Sequence, residues 1–194
     1  MTDTRWPVRF VFTTAILLSC LVAPASADDM LGKGDEAKDF ALQAVAGELN
    51  GDVKLSELKG SGPIVLVVLR GFPGYQCPIC SRQVGALVAK ADEFKKQNAK
   101  VLMVYPGPGS GLEGKAKQFL RGGKLPAPFT LLLDPDYEFT NAYGLRWKAP
   151  RETAYPSTFV LDGKGTVTFA KVSKTHGGRT RPDEVLQAVG AAAK

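Results

Sequence analysis

An apolar run that leads into two cysteines constrains the fold more than any other feature of this 194-residue chain. The run from Ile64 to Leu69 is rich in β-branched residues, which predicts a central strand covered on both faces. Cys77 and Cys80 follow with Cys-x-x-Cys spacing, and the residues after them have helical periodicity. The two thiols are therefore predicted to lie where a strand ends and a helix begins.

A cysteine at the start of a helix is chemically reactive. The unpaired N–H groups and the positive end of the helix dipole favour an anion there, which lowers the pKa of a thiol. Pro78 suits the first helical turn, because an N–H at that position has no helical partner to lose. Cys80 lies one turn beyond Cys77, within reach of a disulfide bond. The pattern predicts a redox centre.

The first 27 residues have the organisation of a secretory signal peptide. Arg5 and Arg9 form a short positive region, residues 10–22 are apolar but too few to span a bilayer, and Ala25-Ser26-Ala27 fits a cleavage site. We predict cleavage after Ala27 and an exported protein, periplasmic or secreted. The alternative is a lipoprotein in which an acylated Cys20 anchors the chain to a membrane.

Removal of the signal peptide leaves Cys77 and Cys80 as the cysteines of the mature chain. In an oxidising compartment, a lone pair at this spacing favours a working dithiol over a structural disulfide framework. The net charge falls from +6 to +5, since two arginines and one aspartate are lost, and the remaining basic residues are scattered. We therefore expect no nucleic-acid partner. The mature chain divides into an N-terminal lead (28–37), predicted to be mobile up to residue 35, and one domain (38–194).

Strands and helices alternate along this domain. Asn50-Gly51 predicts an N-terminal β-hairpin, and residues 100–105 predict a second buried strand after one long helix whose apolar face continues to Phe94. A second hairpin within residues 157–170 and a last helix from Pro182 complete the order. This order predicts an α/β fold with a central mixed sheet flanked by helices.

The Cys-x-x-Cys after the first central strand and the segment Tyr155-Pro156-Ser157-Thr158-Phe159 together resemble the thioredoxin-like superfamily. The N-terminal hairpin and the segment from Leu55 to Gly60 resemble its redoxin branch, which contains the AhpC/TSA peroxiredoxins and exported thiol–disulfide proteins. The resemblance covers residues 38–192. It implies a cis peptide bond before Pro156, which would face the first thiol, and further substrate-positioning roles for Tyr155, Tyr75 and Arg70.

Four positions depart from the patterns of this superfamily. Gly74 and Arg70 stand where peroxiredoxins carry, respectively, the threonine three residues and the proline seven residues before the reactive cysteine. Pro156 stands where peroxiredoxins carry an arginine. Gly71 occupies the place of the buried acid that assists the second thiol in thioredoxins. The chain therefore follows neither pattern completely.

Two redox functions are consistent with these residues. In a thiol peroxidase, the Cys77 thiolate attacks a peroxide, becomes a sulfenic acid and condenses with Cys80; an external thiol reductant such as a thioredoxin-like protein then reduces the disulfide. Arg70, Arg82 or Arg151 would supply the guanidinium that complements the missing family residues. The alternative is a thiol–disulfide oxidoreductase, in which Cys77 attacks a protein disulfide and Cys80 resolves the mixed disulfide.

A third interpretation is a copper-delivery carrier that would bind the metal through Cys77, Cys80 and His176, the one histidine of the chain. The two-residue spacing between the thiols and the presence of Pro156 favour the redox interpretations. We expect no cofactor and no resident metal, because a structural zinc would need a second pair of ligands. For His176 we expect a surface or loop-anchoring role.

Overall fold

A computed structural model describes residues 1–2 and 30–193. The predicted signal peptide, its cleavage site after Ala27 and Cys20 lie outside the described residues. None of the described helices has the length and apolar character that crossing a membrane requires. The described strands and helices are β1 (Ala41–Gly47), β2 (Asp52–Lys54), α1 (Leu55–Leu58), β3 (Ile64–Val68), α2 (Pro78–Val88), α3 (Ala91–Lys96), β4 (Lys100–Gly107), α4 (Leu112–Phe119), β5 (Phe129–Pro135), α5 (Glu138–Ala142), β6 (Ser157–Leu161), β7 (Val167–Val172) and α6 (Pro182–Ala192).

The strands form one sheet in the order β2-β1-β5-β4-β3-β6-β7. Strands β3, β4 and β5 are parallel to one another, and the other neighbouring pairs are antiparallel. The N-terminal hairpin β1–β2 extends the sheet beyond β5, and the hairpin β6–β7 extends it beyond β3. This mixed sheet with flanking helices confirms the predicted α/β fold.

The central strand β3 is covered on both faces, because its alternate side chains point into two separate cores. Val65 and Val67 belong to a core that includes residues of α2, α3, α4 and α6. Leu66 and Val68 belong to a second core with residues of α1 and α5. Burial on both sides explains why the sequence of β3 shows no alternation of apolar and polar residues.

The prediction of one long helix up to Phe94 is wrong. Helix α2 ends at Val88 and α3 begins at Ala91, so two residues separate them. Phe94 is nevertheless fully buried in the same core as α2. The apolar spacing persists across the break because both helices cover the same face of the sheet.

The segment that precedes the first strand is packed, in contrast to the mobile lead predicted up to residue 35. Leu31 and Ala37 are buried. The backbone N–H of Gly34 donates to the carbonyl of Val167 at 2.8 Å, and that of Ala37 donates to the carbonyl of Gly165 at 2.9 Å. These bonds tie the lead to the β6–β7 hairpin, so the folded part of the chain begins before residue 38.

Candidate active site

Cys77 caps the N-terminus of α2. Its Sγ accepts the backbone N–H of Cys80 at 3.4 Å, and Pro78 occupies the start of the helix. The coil of residues 69–76 carries the chain from the end of β3 to this cap. The predicted position of the dithiol between a strand and a helix is confirmed. Only 2% of Cys77 and 1% of Cys80 is exposed, so the dithiol lies at the edge of the core.

The two thiols differ in acidity. A hydrogen bond with the Cys80 side chain lowers the pKa of Cys77 to about 5, with help from the N–H groups of Cys80 and Ile79 and the charge of Arg179, although burial opposes the change. The same thiol–thiol contact, together with burial, raises the pKa of Cys80 above its ordinary value. At neutral pH, the pair is therefore a Cys77 thiolate beside a protonated Cys80.

A guanidinium group from the far end of the chain lies beside Cys80. Nη1 and Nη2 of Arg179 are 3.6 and 3.7 Å from the Sγ of Cys80. Nη1 also donates to Oε1 of Gln83 at 3.0 Å, and Nε donates to the carbonyl of His176 at 3.1 Å. Cys80 and Gln83 are both on the buried face of α2, one turn apart, so the helix supplies both the sulfur and an acceptor that orients the guanidinium.

Arg70 is part of a second polar cluster. Only 3% of Arg70 is exposed, and its guanidinium binds the Glu152 carboxylate through Nε at 2.6 Å and Nη2 at 2.9 Å. Nη1 donates to the Tyr75 hydroxyl at 2.5 Å, and Nη2 donates to the Arg151 carbonyl at 3.0 Å. Burial acts to lower the pKa of Arg70, but the hydrogen bonds with Glu152 and Tyr75 outweigh burial and raise it. Arg70 thus holds the hydroxyl group of Tyr75 in place.

Glu152 extends this cluster to His176 and two aromatic rings. Oε1 of Glu152 lies 2.8 Å from Nε2 of His176. The ring of Trp147 lies 5.2 Å from that of His176 and stacks on Tyr155 at 4.9 Å, measured between ring centroids. Burial acts to raise the pKa of Glu152, but the hydrogen bonds with Arg70 and His176 outweigh burial and lower it. A cleft of about 420 Å³ is lined in part by Trp147 and Tyr155.

The ligands of the copper interpretation are not brought together. Nε2 of His176 faces Glu152, whereas Cys77 and Cys80 contact each other and Cys80 contacts Arg179. Among the residues that the structure describes, no three His, Cys, Asp or Glu side chains form a group that could hold a metal ion. The position of His176 agrees with the loop-anchoring role expected for it.

The prediction of a cis peptide bond before Pro156 is wrong. Within residues 30–193, the cis peptide bond that the structure contains precedes Pro128. The carbonyl of Pro156 accepts the N–H of Ser173 at 2.9 Å, which extends the pairing of β6 with β7 by one step. A trans proline at the start of a strand suits this extended backbone.

The glycines of the coil explain two of the departures from the superfamily patterns. Gly71 has a φ of +71°, and a Cβ at this position would lie 1.8 Å from the carbonyl oxygen of Pro106. The buried acid of thioredoxins therefore has no room there. Gly74 has a φ of +109° with open space around it, so a threonine at this position would strain the backbone.

Sequence reasoning missed Arg179 and Glu152. They lie 99 residues from Cys80 and 82 residues from Arg70, respectively, so no local spacing indicates either contact. Two of the arginines proposed to lie near the thiols, Arg82 and Arg151, are exposed. Among the described residues, neither side chain has a hydrogen-bond or ion-pair partner.

The mixed sheet and the dithiol at the head of α2 define a thioredoxin-like protein with a thiol-based redox site. A model of the AhpC/TSA family matches residues 33–170, which is more than half of the chain. The chain belongs to this family and is a thiol-dependent oxidoreductase. This result confirms the resemblance to the redoxin branch.

Relatives and solved structures agree with this assignment. The chain is 31% identical over 157 residues to Peroxiredoxin-2 of Bos taurus, covering 80% of this chain and 76% of that protein. It is 30% identical over 140 residues to the chloroplastic Peroxiredoxin Q of Oryza sativa subsp. japonica, covering 72% and 58%. The structure of Mycobacterium bovis AhpC matches with a TM-score of 0.67 and 21% identity, over 84% of this chain and 93% of that one.

A protein assigned as the thiol:disulfide interchange protein DsbE of Chlorobium tepidum has the same fold. It matches with a TM-score of 0.60 and 24% identity, over 84% of this chain and 99% of that one. AhpC and this protein thus share the fold, so the fold alone does not decide between peroxide reduction and disulfide exchange.

Proposed function

We propose that this chain is an exported thiol peroxidase in which Cys77 is the nucleophile and Cys80 is the resolving thiol. The Cys77 thiolate attacks one peroxide oxygen, the O–O bond breaks, and the departing oxygen takes up a proton to leave as water or an alcohol. Cys77 is left as a sulfenic acid. Cys80 then attacks the Cys77 sulfur, an S–S bond forms, and the sulfenic oxygen leaves as water.

The observation that carries this proposal is the geometry of the helix cap. The Sγ of Cys77 is bound by the N–H of Cys80 at the start of α2, and the low pKa of Cys77 keeps the nucleophile ionised at neutral pH. With 2% of Cys77 exposed, a peroxide reaches the sulfur more easily than a disulfide on the surface of a folded protein. The small substrate is therefore favoured, as the peroxiredoxin relatives also suggest.

Turnover requires an external reductant. A dithiol donor, such as a thioredoxin-like protein, attacks the Cys77–Cys80 disulfide and passes it two electrons, which restores both thiols and leaves the donor as a disulfide. The structure holds no second cysteine pair within its described residues that could supply these electrons. Omission of the donor should limit the enzyme to one turnover.

Export is part of the proposal. The positive, apolar and Ala-x-Ala regions of residues 1–27 support a periplasmic or secreted protein that begins at Asp28. N-terminal sequencing of the protein recovered from the exported fraction would test this. A mature chain that retains these residues, or one acylated at Cys20, would contradict a soluble exported form.

A specific observation favours thiol–disulfide exchange as a second candidate. Gly74 stands in place of the threonine that helps peroxiredoxins to hold a peroxide, and its φ of +109° disfavours that residue. The site thus lacks one substrate contact of its relatives while keeping the short Cys-x-x-Cys pair that suits disulfide exchange. In this reading, Cys77 attacks a protein disulfide and Cys80 releases the reduced product.

A kinetic comparison separates the two functions. The reduced protein is mixed with hydrogen peroxide in one series and with a protein disulfide such as insulin in another. Oxidation of Cys77 and Cys80 themselves is followed by rapid quench and mass spectrometry. A larger second-order rate constant for peroxide is expected. A larger constant for the protein disulfide would replace the peroxidase with the second candidate, and the Cys77→Ser variant provides the background rate.

A further inference from the structure

The guanidinium of Arg179 contacts the resolving thiol and not the nucleophile. Both terminal nitrogens lie within 3.7 Å of the Cys80 sulfur, while the Cys77 sulfur is bound by the helix start and by Cys80 itself. The charge of Arg179 also helps to lower the pKa of Cys77, but its hydrogen bonds are with the sulfur of Cys80. This position indicates an additional role in the step in which Cys80 reacts.

Arg179 is held firmly in this position. Gln83 accepts one of its N–H groups on α2, and the carbonyl of His176 accepts another. The next residue, Thr180, is buried, accepts the side-chain amide of Gln83 at 3.2 Å and pairs with Thr158 of β6 at 2.8 Å. A group fixed by so many contacts needs little rearrangement when charge develops beside it, which is the condition for effective electrostatic stabilisation.

The charge beside Arg179 changes during the reaction. In the reduced protein, the Cys77 thiolate keeps the proton of Cys80 in place, while the charge of Arg179 acts in the opposite direction. After Cys77 is oxidised, the sulfenic acid is neutral and this anion is gone. The guanidinium remains, so the protonation equilibrium of Cys80 shifts toward the thiolate at the step in which Cys80 attacks.

We propose that Arg179 is a catalytic residue of the second step, where it stabilises the Cys80 thiolate that attacks the sulfenic sulfur of Cys77. Cys80 first gives up its proton to water. Its sulfur then forms the S–S bond, the Cys77 S–O bond breaks, and the hydroxide takes up a proton to leave as water. Arg179 thus assists the second thiol through its positive charge. In thioredoxins, a buried acid at the position of Gly71 assists that thiol instead.

This inference rests on the proposed function, and a single-turnover experiment tests it. The variants Arg179→Gln and Arg179→Lys are mixed with hydrogen peroxide, and the sulfenic acid and the disulfide are quantified separately at each time by trapping and mass spectrometry. In Arg179→Gln, disulfide formation should slow by about tenfold or more, while sulfenic acid formation changes much less. Arg179→Lys should restore part of the rate. Equal slowing of both steps, or an unchanged second step, would overturn the proposal.

A titration tests the same claim without any substrate. In the Cys77→Ser background, the Cys80 thiolate is followed by its ultraviolet absorbance as the pH is raised. Adding Arg179→Gln should raise the titration midpoint by about one unit or more, whereas adding the exposed-site control Arg82→Gln should leave it unchanged. An unchanged midpoint with Arg179→Gln would refute the role of Arg179, even if the protein proved to act on disulfides instead of peroxides. Circular dichroism of each variant verifies folding.

Discussion

Arg70 and Glu152 form a bidentate, nearly buried ion pair, with 4% and 10% of the two side chains exposed, respectively. Arg70 lies in the coil that follows β3, and Glu152 lies in the segment before β6. Through Tyr75 and His176, the pair also joins the coil before the dithiol to the loop that carries Arg179. This ion pair therefore links the coil that leads to Cys77 with the loop whose Arg179 contacts Cys80.

Replacement of Arg70 by methionine should destabilise the protein strongly. The buried carboxylate of Glu152 would lose its bidentate partner, and breaking a buried ion pair on one side typically costs about 3–5 kcal/mol. The exposed pair of Lys54 and Glu57, with 50% and 61% of the side chains exposed, offers a matched control. Lys54→Gln should change the free energy of unfolding very little, because water screens this exposed pair. Urea unfolding measures the free energy of unfolding of both variants. Similarly small decreases in the two variants would show that the Arg70–Glu152 pair does not organise the site.

The stability of the protein should depend on pH through Glu152. Folding lowers the pKa of this carboxyl below its ordinary value of 4.5, so the native state is stabilised by the carboxylate above that pH. The contribution is lost as the pH falls through the lower native pKa. Between pH 7 and pH 3, the free energy of unfolding should therefore decline more for the wild type than for Glu152→Gln. Parallel declines would contradict this assignment.

The two glycines of the coil should respond differently to the same substitution. Both have a positive φ, so alanine at either position carries a backbone cost of about 1–3 kcal/mol. Only at Gly71 would the added Cβ also collide with the carbonyl of Pro106. Gly71→Ala should therefore be clearly less stable than Gly74→Ala in thermal unfolding. Equal losses would mean that the coil shifts easily, and the structural reason given for the absent acid would fail.

The reactivity of Cys77 should be almost independent of pH near neutrality. Its pKa of about 5 means that the thiolate already predominates at pH 6 and above. The rate of alkylation by iodoacetamide should therefore be flat from about pH 6 to 8 and fall as the pH drops through 5. Mass spectrometry assigns the modified cysteine. A rate that rises steadily up to pH 8 or 9 would indicate an ordinary thiol.

Much of the fold was predictable because its signals are local. The apolar runs of β3 and β4 identified buried parallel strands, and Asn50-Gly51 identified the first hairpin. The break between α2 and α3 was not predictable from periodicity. Ala91 and Phe94 still face the core, and the apolar spacing is the same as that of a continuous helix.

Only the part of the site that depends on neighbours in sequence was predictable. Cys77 and Cys80 are recognised because their chemistry depends on neighbours in sequence: a strand before them and a helix start around them. Arg179 and Glu152 reach the site through the β6–β7 hairpin and its flanking loops, which only the folded chain brings close. The cis bond expected before Pro156 came from a resemblance in sequence, and the pairing of Pro156 with Ser173 shows that this backbone continues the sheet instead.

The most direct test of the account is a single-turnover reaction with one equivalent of hydrogen peroxide, followed by peptide mapping of the wild type and of both cysteine variants. We predict a Cys77–Cys80 disulfide in the wild type, a sulfenic acid on Cys77 in Cys80→Ser, and no rapid oxidation in Cys77→Ser. If Cys77→Ser consumed peroxide as fast as the wild type, or if the wild type retained both thiols, Cys77 would not be the nucleophile of a thiol peroxidase.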